Sequence, residues 1–355
     1  MAEAAGPGQF PVARFAPGPR IREWAAEHRF SDWMVARLVR LTDQPSLLLD
    51  GLRRKPPRYV RVNPLRGHMD EVKKRLEARG FQMSHADLDP AILRLRQSPI
   101  SAGATVEHLL GMTTLQDLAS ASAPLALAAR PGEVIADLAA APGVKTMHMA
   151  GDLGGRGAIV AVEPNAERMR ALRFNLERCG VTTAVLRRHE AQQLPGAGWA
   201  DKVLLDAPCS GEGTIPNDRN RRFARPEDIT TYAGLQAELL DAADRVLRPG
   251  GTLVYATCTF APEENEAQLQ RMVERGYTME SLPFDRCGGV PLAPGVTEWP
   301  GYRLDGSLAK ARRFLPGIHP TLGFFVARLR KPDAPASPPG PGHVPRPDPA
   351  QEAKT

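Results

Sequence analysis

The chain has 355 residues, 42% of them apolar, and a formal net charge of +6, so it can bury a large core. It has no run of the roughly 18–20 apolar residues that a membrane span needs, and its N-terminus has no apolar signal core. Its four cysteines lack metal-ligand spacing and are too few for a disulfide framework. We therefore expect a cytoplasmic protein with reduced thiols, no metal and no membrane partner.

The N-terminal part of the chain carries the excess of positive charge. Residues 1–110 contain 18 Lys and Arg against 12 Asp and Glu, whereas residues 111–355 contain 28 of each. Eight basic residues and an interleaved Tyr59 fall within residues 37–66. Such local density is typical of a protein that binds a phosphate backbone, although a solvated basic face has the same composition.

Composition and periodicity divide the chain into four segments. Residues 1–20, rich in Gly, Pro and Ala, predict a flexible lead, and helical stretches alternating with short strand-like runs predict a small α+β domain over 21–110. Residues 111–331 hold the main domain. The proline-rich residues 332–355 predict a disordered tail.

The main domain alternates apolar runs with amphipathic segments, from "EVIADLAA" to "TLVYATCTF". This order predicts an α/β fold with a doubly wound, mainly parallel sheet, and the late "GFFVARLR" is a candidate for one more strand, parallel or antiparallel. Asp137, Glu163, Asp206 and Cys258 fall at or near predicted strand ends. Because ligands of such sheets bind beyond the carboxyl ends of the strands, one crevice is expected to collect these side chains.

The segment "DLAAAPGVKT", residues 137–146, follows a strand and opens a helix. Its small residues allow a ligand to approach the backbone closely, but it matches neither GxGxxG nor the P-loop pattern. Glu163 ends the next strand about twenty residues later, where an acid commonly accepts hydrogen bonds from ribose hydroxyls. These two features indicate an adenosine cofactor; a tight turn with a surface glutamate is the alternative.

Two cysteines follow neighbouring strands, Cys209 in "DAPCS" and Cys258 in "TCT". A free cysteine is usually a small buried hydrophobe, but two at one crevice beside Asp206 suit covalent catalysis. Addition of a thiolate at carbon 6 of cytosine turns carbon 5 into a nucleophile able to take a methyl group. Asp206 is a candidate to hydrogen-bond N3 and the exocyclic amine, and Cys209 to assist removal of the carbon 5 proton.

These motifs resemble the Fmu/SUN family of RNA (cytosine-5) methyltransferases, which use S-adenosylmethionine. The resemblance covers roughly residues 55–331. It rests on "RYVRVNPLR", "GMTTLQDLASASAPLAL", "DLAAAPGVKT", "LLDAPCSGEGT", "GGTLVYATCTFAPEENE" and "RFLPGIHPTLGFFVARL" in this order. It implies a Rossmann-like class I methyltransferase sheet preceded by a small RNA-binding domain, in agreement with the N-terminal charge.

The resemblance also implies roles for individual residues. Cys258 is expected to be the nucleophile, Cys209 to assist product release, and Asp206 to lie near the methyl donor and the target base. The cofactor contacts are expected from Ala139, Ala140, Ala141, Pro142, Gly143, Val144, Lys145, Glu163, Glu190 and Asp206. Lys145 is a further catalytic candidate, because its ammonium would contact the base or nearby carboxylates.

Two residues depart from the family pattern. Val144 stands where the family usually has a second glycine, which predicts a stiffer or more apolar turn. Glu190, whose side chain is one methylene longer, stands where the family usually has an aspartate after the third strand, and it is the residue expected to contact adenine.

Four functional alternatives follow for the whole chain. The main one is methylation of carbon 5 of a cytosine in structured RNA, with tRNA favoured over ribosomal RNA because the chain is compact. The others are a ribosomal RNA enzyme, a non-catalytic RNA-binding ribosome assembly factor, and a small-molecule methyltransferase. A monomer is favoured.

Overall fold

The computed structural model describes residues 11–13 and 15–333. The rest of the predicted lead, at residues 1–10 and 14, and the predicted tail from residue 334 onward lie outside the described residues. The part of the predicted flexible lead that the structure describes is packed against the rest of the protein. Ala13 is buried, and its backbone N–H donates to Oε1 of Glu263 at 3.0 Å.

Three short helices follow: α1 (Pro19–His28), α2 (Asp32–Leu38) and α3 (Pro45–Arg53). Pro19 and Pro45 begin their helices, where the missing N–H costs nothing, and the Ser31 side chain caps α2. The apolar faces of these helices pack against Ile215, Phe260 and Leu315 of the main domain. The predicted 21–110 unit is therefore not one compact body, because its helices share a core with the main domain.

The small sheet comes next, with β1 (Arg58–Val62), α4 (Met69–Ala78), β2 (Gln82–His85), β3 (Ile92–Gln97), α5 (Val106–Leu109) and β4 (Thr113–Leu115). Its strands pair antiparallel in the order β2-β3-β1-β4. Because β4 ends at Leu115, the sheet extends beyond the predicted boundary at residue 110. The buried residues of α4 close its core.

The main domain contains α6 (Leu118–Leu127), β5 (Val134–Asp137), α7 (Val144–Leu153), β6 (Ala158–Val162), α8 (Ala166–Arg178), β7 (Ala184–Arg187), β8 (Ala200–Asp206), α9 (Pro226–Val246) and β9 (Leu247–Thr257). All five strands are parallel, in the order β9-β8-β5-β6-β7. The apolar side chains of β5, β8 and β9 are largely buried against helices, as continuous apolar strands in a parallel sheet require, whereas the edge strand β7 is partly exposed.

The C-terminal part adds α10 (Glu266–Glu274), β10 (Thr278–Glu280), β11 (Arg286–Cys287), β12 (Val290–Pro291), β13 (Ala293–Pro294), β14 (Glu298–Trp299), β15 (Tyr302–Arg303), β16 (Arg312–Phe314) and β17 (Phe324–Arg330). Strand β17 is the predicted "GFFVARLR" strand, and it pairs antiparallel with β9. Cys179 and Cys287 are both buried among apolar side chains.

Strand register brings the predicted site to one edge of this sheet. Asp137 pairs with Leu204 in neighbouring parallel strands, and Asp206 pairs with Ala256, two residues before Cys258. The predicted doubly wound, Rossmann-like fold class is confirmed. The strand ends therefore place the thiol loops and the cofactor turn side by side.

Candidate active site

The two predicted thiols meet at the ends of β8 and β9. The Sγ atoms of Cys209 and Cys258 lie 3.3 Å apart, within hydrogen-bond distance, and both thiols are reduced. The hydrogen bond with Cys209 lowers the pKa of Cys258, and Lys145 acts in the same direction, whereas burial and the charge of Asp206 oppose the shift. The same hydrogen bond raises the pKa of Cys209 well above its ordinary value, and burial adds to the increase. The pair thus consists of a more acidic and a less acidic thiol.

Lys145 and Asp206 form an ion pair beside these thiols. Nζ of Lys145 lies 2.5 Å from Oδ2 of Asp206, and the side chains are 14% and 28% exposed, so the pair opens toward solvent. The ammonium also lies 5.4 Å from the centre of the Phe324 ring. The structure therefore brings together all four catalytic candidates: Cys258, Cys209, Asp206 and Lys145.

A fully buried carboxylate, Glu264, joins the two thiol loops. It accepts hydrogen bonds from the backbone N–H and the hydroxyl of Ser210, the residue after Cys209, at 2.9 and 2.5 Å. It also accepts from the hydroxyl of Thr259, the residue after Cys258, at 3.2 Å, and from Nε2 of Gln236 at 3.0 Å. Both cysteines are thus held through their neighbours by one side chain.

Glu264 was not predicted as a site residue, although it lies in the quoted "TCTFAPEENE" motif. Two further acids flank it there, and no pattern distinguishes the one that turns toward the thiols. Burial raises the pKa of Glu264 to about 7, with hydrogen bonds from Ser210 acting in the opposite direction. Only its tertiary contact with the "DAPCS" segment identifies Glu264, and the sequence alone does not show that contact.

The predicted cofactor turn lies between β5 and α7. Gly143 has φ of +104°, a backbone conformation that favours glycine, and a Cβ there would lie 2.8 Å from Cδ1 of Leu172 on α8. Ala139, Ala140 and Ala141 carry no side-chain atoms beyond Cβ. Pro142 is exposed and Val144 is half-buried. A ligand can therefore reach the backbone of this turn, as an adenosyl cofactor needs.

Glu163 lies directly after β6 and is 1% exposed. Its Oε1 accepts from the backbone N–H of Asn165 at 2.9 Å, and its Oε2 lies 3.3 Å from Nη1 of Arg168. Arg168 also donates from Nη2 to the carbonyl of Ala141 at 2.8 Å. Arg168, which the sequence analysis missed, thus connects the acid to the cofactor turn, and the lone pairs left on Glu163 fit a ribose hydroxyl.

The remaining acids differ in their surroundings. Glu190 lies three residues beyond β7 and is exposed. Asp137 at the end of β5 is buried and accepts from the hydroxyl of Thr146 at 2.6 Å. Burial raises the pKa of Asp137 to about 6, and the charge of Asp206 contributes. Asp137 therefore anchors the start of α7 rather than facing the crevice.

Three residues of the basic N-terminal segment do not form a surface. Arg37 is buried in an ion pair with Glu263, and Arg61 is buried near Asp89 and Asp152. Tyr59 is 4% exposed, and its hydroxyl donates to the carbonyl of Pro320 at 2.7 Å. The interpretation of Tyr59 as an aromatic within a basic surface is wrong, because its ring closes the core beneath the sheet.

The exposed basic residues of that segment are Arg40, Arg53, Arg54, Lys55, Arg58 and Arg66. Over residues 11–13 and 15–333, no helix is both long and apolar enough to cross a membrane. Within the same residues, no group of three His, Cys, Asp or Glu side chains is arranged to hold a metal ion.

The fold and the strand-end site together define a class I methyltransferase with a paired-thiol centre. The family model described as 16S rRNA methyltransferase RsmB/F matches residues 124–330, more than half of the chain, and the chain belongs to this family. Membership confirms the resemblance drawn from the motifs, and with it the expected cofactor, S-adenosylmethionine.

Relatives and solved structures agree with this assignment. A 26S rRNA (cytosine-C(5))-methyltransferase of Caenorhabditis elegans is 32% identical over 87% of this chain and 48% of its own length. Ribosomal RNA small subunit methyltransferase F of Escherichia coli is 38% identical over 68% of this chain and 50% of its own. The chain thus spans about half the length of these curated relatives.

A solved structure extends the likeness to a protein of similar length. The crystal structure of a methyltransferase homologue from Pyrococcus horikoshii superimposes with a TM-score of 0.79 at 33% identity. The match covers 88% of this chain and 99% of the other. The likeness therefore extends over most of both chains.

Proposed function

We propose that this protein is an S-adenosylmethionine-dependent methyltransferase that modifies carbon 5 of a cytosine in structured RNA. The observation that carries the proposal is the pair of thiols 3.3 Å apart, with opposite pKa shifts, beside the Lys145–Asp206 ion pair. Nitrogen or oxygen methylation needs no enzyme thiol, whereas carbon 5 of cytosine must first be made nucleophilic.

Cys258 is the proposed nucleophile because its lowered pKa increases the fraction of thiolate. Its Sγ forms a bond to carbon 6 of the cytosine, and the electron pair of the 5,6 double bond becomes available at carbon 5. When bound, the cofactor supplies the methyl group that carbon 5 takes. Asp206, held by Lys145, accepts a hydrogen bond from the exocyclic amine and orients the ring.

Cys209 is proposed to act in the last stage. Its pKa is raised first of all by the hydrogen bond to Cys258. Once Cys258 is bonded to the base, it no longer carries the charge that held the proton on Cys209. The pKa of Cys209 then falls, so its thiol can release its proton to solvent and become a thiolate base. This thiolate takes the proton from carbon 5, the electron pair of that C–H bond re-forms the 5,6 double bond, and Cys258 leaves carbon 6 as a thiolate.

The RNA is proposed to lie against both parts of the chain. Residues 21–110 supply exposed basic side chains at Arg53, Arg54, Lys55 and Arg58, and residues 111–331 supply the chemistry. Both curated relatives above are named for ribosomal RNA, which supports a ribosomal substrate. The preference for tRNA, drawn from chain length, stays a prediction, as do the cytoplasmic location and the monomeric state.

Methyl transfer to RNA pools tests the proposal. The full chain is incubated with methyl-tritiated S-adenosylmethionine and, separately, ribosomal RNA and tRNA from cells lacking the gene. We expect label in 5-methylcytosine of one pool, none with Cys258→Ala, and retained label with Cys287→Ala, which removes a cysteine outside the site. Label on another base atom, or RNA binding without any transfer, would overturn the proposal; the second result favours an assembly factor.

A further inference from the structure

A basic segment contacts one of the two thiol loops. Residues 217–225, "NDRNRRFAR", which we call the rim segment, contain four arginines and one aspartate. The main domain as a whole has balanced charge, so this is a local concentration. A short 3₁₀ helix, Arg219–Phe223, shapes it, capped by the side chain of Asp218.

Three contacts hold the rim segment in place. Ile215 before it is fully buried, and Ala224 near its end packs in the same apolar cluster with the N-terminal helices. Between them, Nη1 of Arg221 donates to the carbonyl of Ser210 at 2.8 Å, and Ser210 directly follows Cys209. The rim segment is thus tied to a thiol loop by a side chain two residues from Phe223.

Phe223 is 57% exposed although its neighbours in the chain are anchored. The guanidinium of Arg222 lies 5.5 Å from its ring centre, and Nε of Arg222 donates to the carbonyl of Arg219 at 2.9 Å. Arg219, four residues before Phe223, and Arg225, two residues after it, are exposed, and Arg225 lies 3.7 Å from a carboxylate oxygen of Asp228. An aromatic face with cations around it is the arrangement that binds single-stranded nucleic acid by stacking and phosphate contact.

We propose that Phe223 is a stacking platform for the base next to the target cytosine, with Arg219, Arg222 and Arg225 on the flanking phosphates. This inference rests on the proposed function and adds where the neighbouring nucleotide binds. A cytosine can reach Cys258 only after it leaves the base stack, which costs stacking energy. When the cytosine leaves the stack, the base next to it loses a stacking partner. The Phe223 ring beside the thiol loop takes the place of that partner and so stabilises the RNA with its cytosine turned out.

The binding test uses a short fluorescent single-stranded RNA with one central cytosine. We expect Phe223→Ala to weaken binding about tenfold, as loss of one stacked base does, and Phe223→Trp to bind at least as well as the wild type. Phe174→Ala is the matched control, because Phe174 is 64% exposed on α8. An affinity for Phe223→Ala within about twofold of the wild type, or equal losses in both alanine variants, would overturn the proposal.

Abasic nucleotides locate the stacked base. The probe is made with an abasic nucleotide on either side of the cytosine in turn. With one of them, the wild type should bind about tenfold more weakly, and Phe223→Ala should cause no further loss. If Phe223→Ala still weakens binding to both abasic probes, the ring does not stack on a flanking base.

Methyl transfer is measured separately, so that the two proposals fail independently. A wild-type protein that binds the oligonucleotide in this pattern but methylates no RNA would overturn the proposed function and leave the platform standing. If the wild type methylates RNA and Phe223→Ala binds the oligonucleotide as tightly as the wild type, the platform would be overturned and the proposed function would stand.

Discussion

The two halves of the strand-end site are built in different ways. In the thiol half, Cys209 and Cys258 contact each other, and Glu264 holds their neighbours Ser210 and Thr259 by three hydrogen bonds. In the cofactor half, residues 139–143 offer mainly backbone. Its two acids differ, since Glu163 is buried and engaged whereas Glu190 is exposed.

This difference follows from what each half must do. A thiolate that adds to carbon 6 must sit within a fraction of an ångström of its attack path before RNA arrives, so its loops are cross-linked. A cofactor with many polar groups is recognised by several weaker contacts, so no one of them needs such support. Substitutions in the thiol half should therefore cost more activity, and mainly turnover, while those in the cofactor half should mainly change cofactor affinity.

The largest effect is expected from Cys258→Ala. Without its thiol, carbon 5 is not activated, so methyl transfer should fall to background while cofactor and RNA affinities stay near wild type. Transfer of tritiated methyl groups and calorimetric binding of the cofactor measure the two quantities. Normal turnover in this variant would remove Cys258 from the chemistry and leave the thiol half without its nucleophile.

The next effect is expected from Cys209→Ala. Loss of the proton acceptor should slow turnover by about 10²-fold or more and leave RNA attached through Cys258. A denaturing gel should show a protein–RNA band that forms only with S-adenosylmethionine. The band should be absent in the double variant with Cys258→Ala. Fast turnover without a band would assign the proton transfer to another group.

The same contrast decides what could be predicted from the sequence. Alternation of apolar strands and amphipathic helices is local, so the mainly parallel sheet, the additional strand β17 and the strand-end positions of Cys209, Cys258 and Asp206 were all predicted. The prediction of a separate domain over residues 21–110 was less accurate. Helices α2 and α3 have the same amphipathic sequence pattern whether they pack on the small domain or on the main domain. Their burial against Phe260 depends on long-range contact.

The missed residues have a common physical reason. Glu264 and Arg168 act through side chains that reach other loops, and the residues that receive them are distant in the chain. A single sequence records that Glu264 is charged, but not that it is buried. Tyr59 is the opposite case. An aromatic residue among arginines in the sequence suggests an exposed binding surface, but the Tyr59 ring lies in the core.

The third effect tests the link between the thiol loops. Glu264→Ala removes the acceptor of Ser210 and Thr259, so the thiols should lose their fixed geometry and kcat should fall about 10- to 100-fold with little change in the KM for the cofactor. Glu264→Gln is the matched variant. Its oxygen can accept from Ser210 N–H and Gln236, and its amide can donate to the two hydroxyls, so most of kcat should return. Equal losses in both variants would indicate that charge at Glu264, not its hydrogen bonds, is required.

Glu264 should also leave a signature in the pH dependence of stability. Its pKa is raised from an ordinary 4.5 to about 7, so its contribution to folding is complete below pH 4.5 and is lost as pH rises through 7. Relative to Glu264→Gln, the wild type should lose about 3 kcal/mol of unfolding free energy across that window. Urea unfolding of both proteins at a series of pH values measures it. Parallel curves would contradict burial of an ionisable Glu264.

The smallest effects are expected in the cofactor half, where substitutions of Glu163 and Glu190 should lower cofactor affinity to different extents. Glu163→Ala removes a buried carboxylate and leaves Arg168 without its partner, so cofactor affinity should fall about tenfold or more while kcat at saturation stays within a few-fold. Glu190→Ala, at an exposed position, should change affinity by less, because water already solvates its carboxylate. Titration calorimetry with S-adenosylmethionine gives both values. If Glu190→Ala cost more than Glu163→Ala, the adenine contact would dominate the ribose contact, and the buried acid would serve only to hold Arg168 against the carbonyl of Ala141.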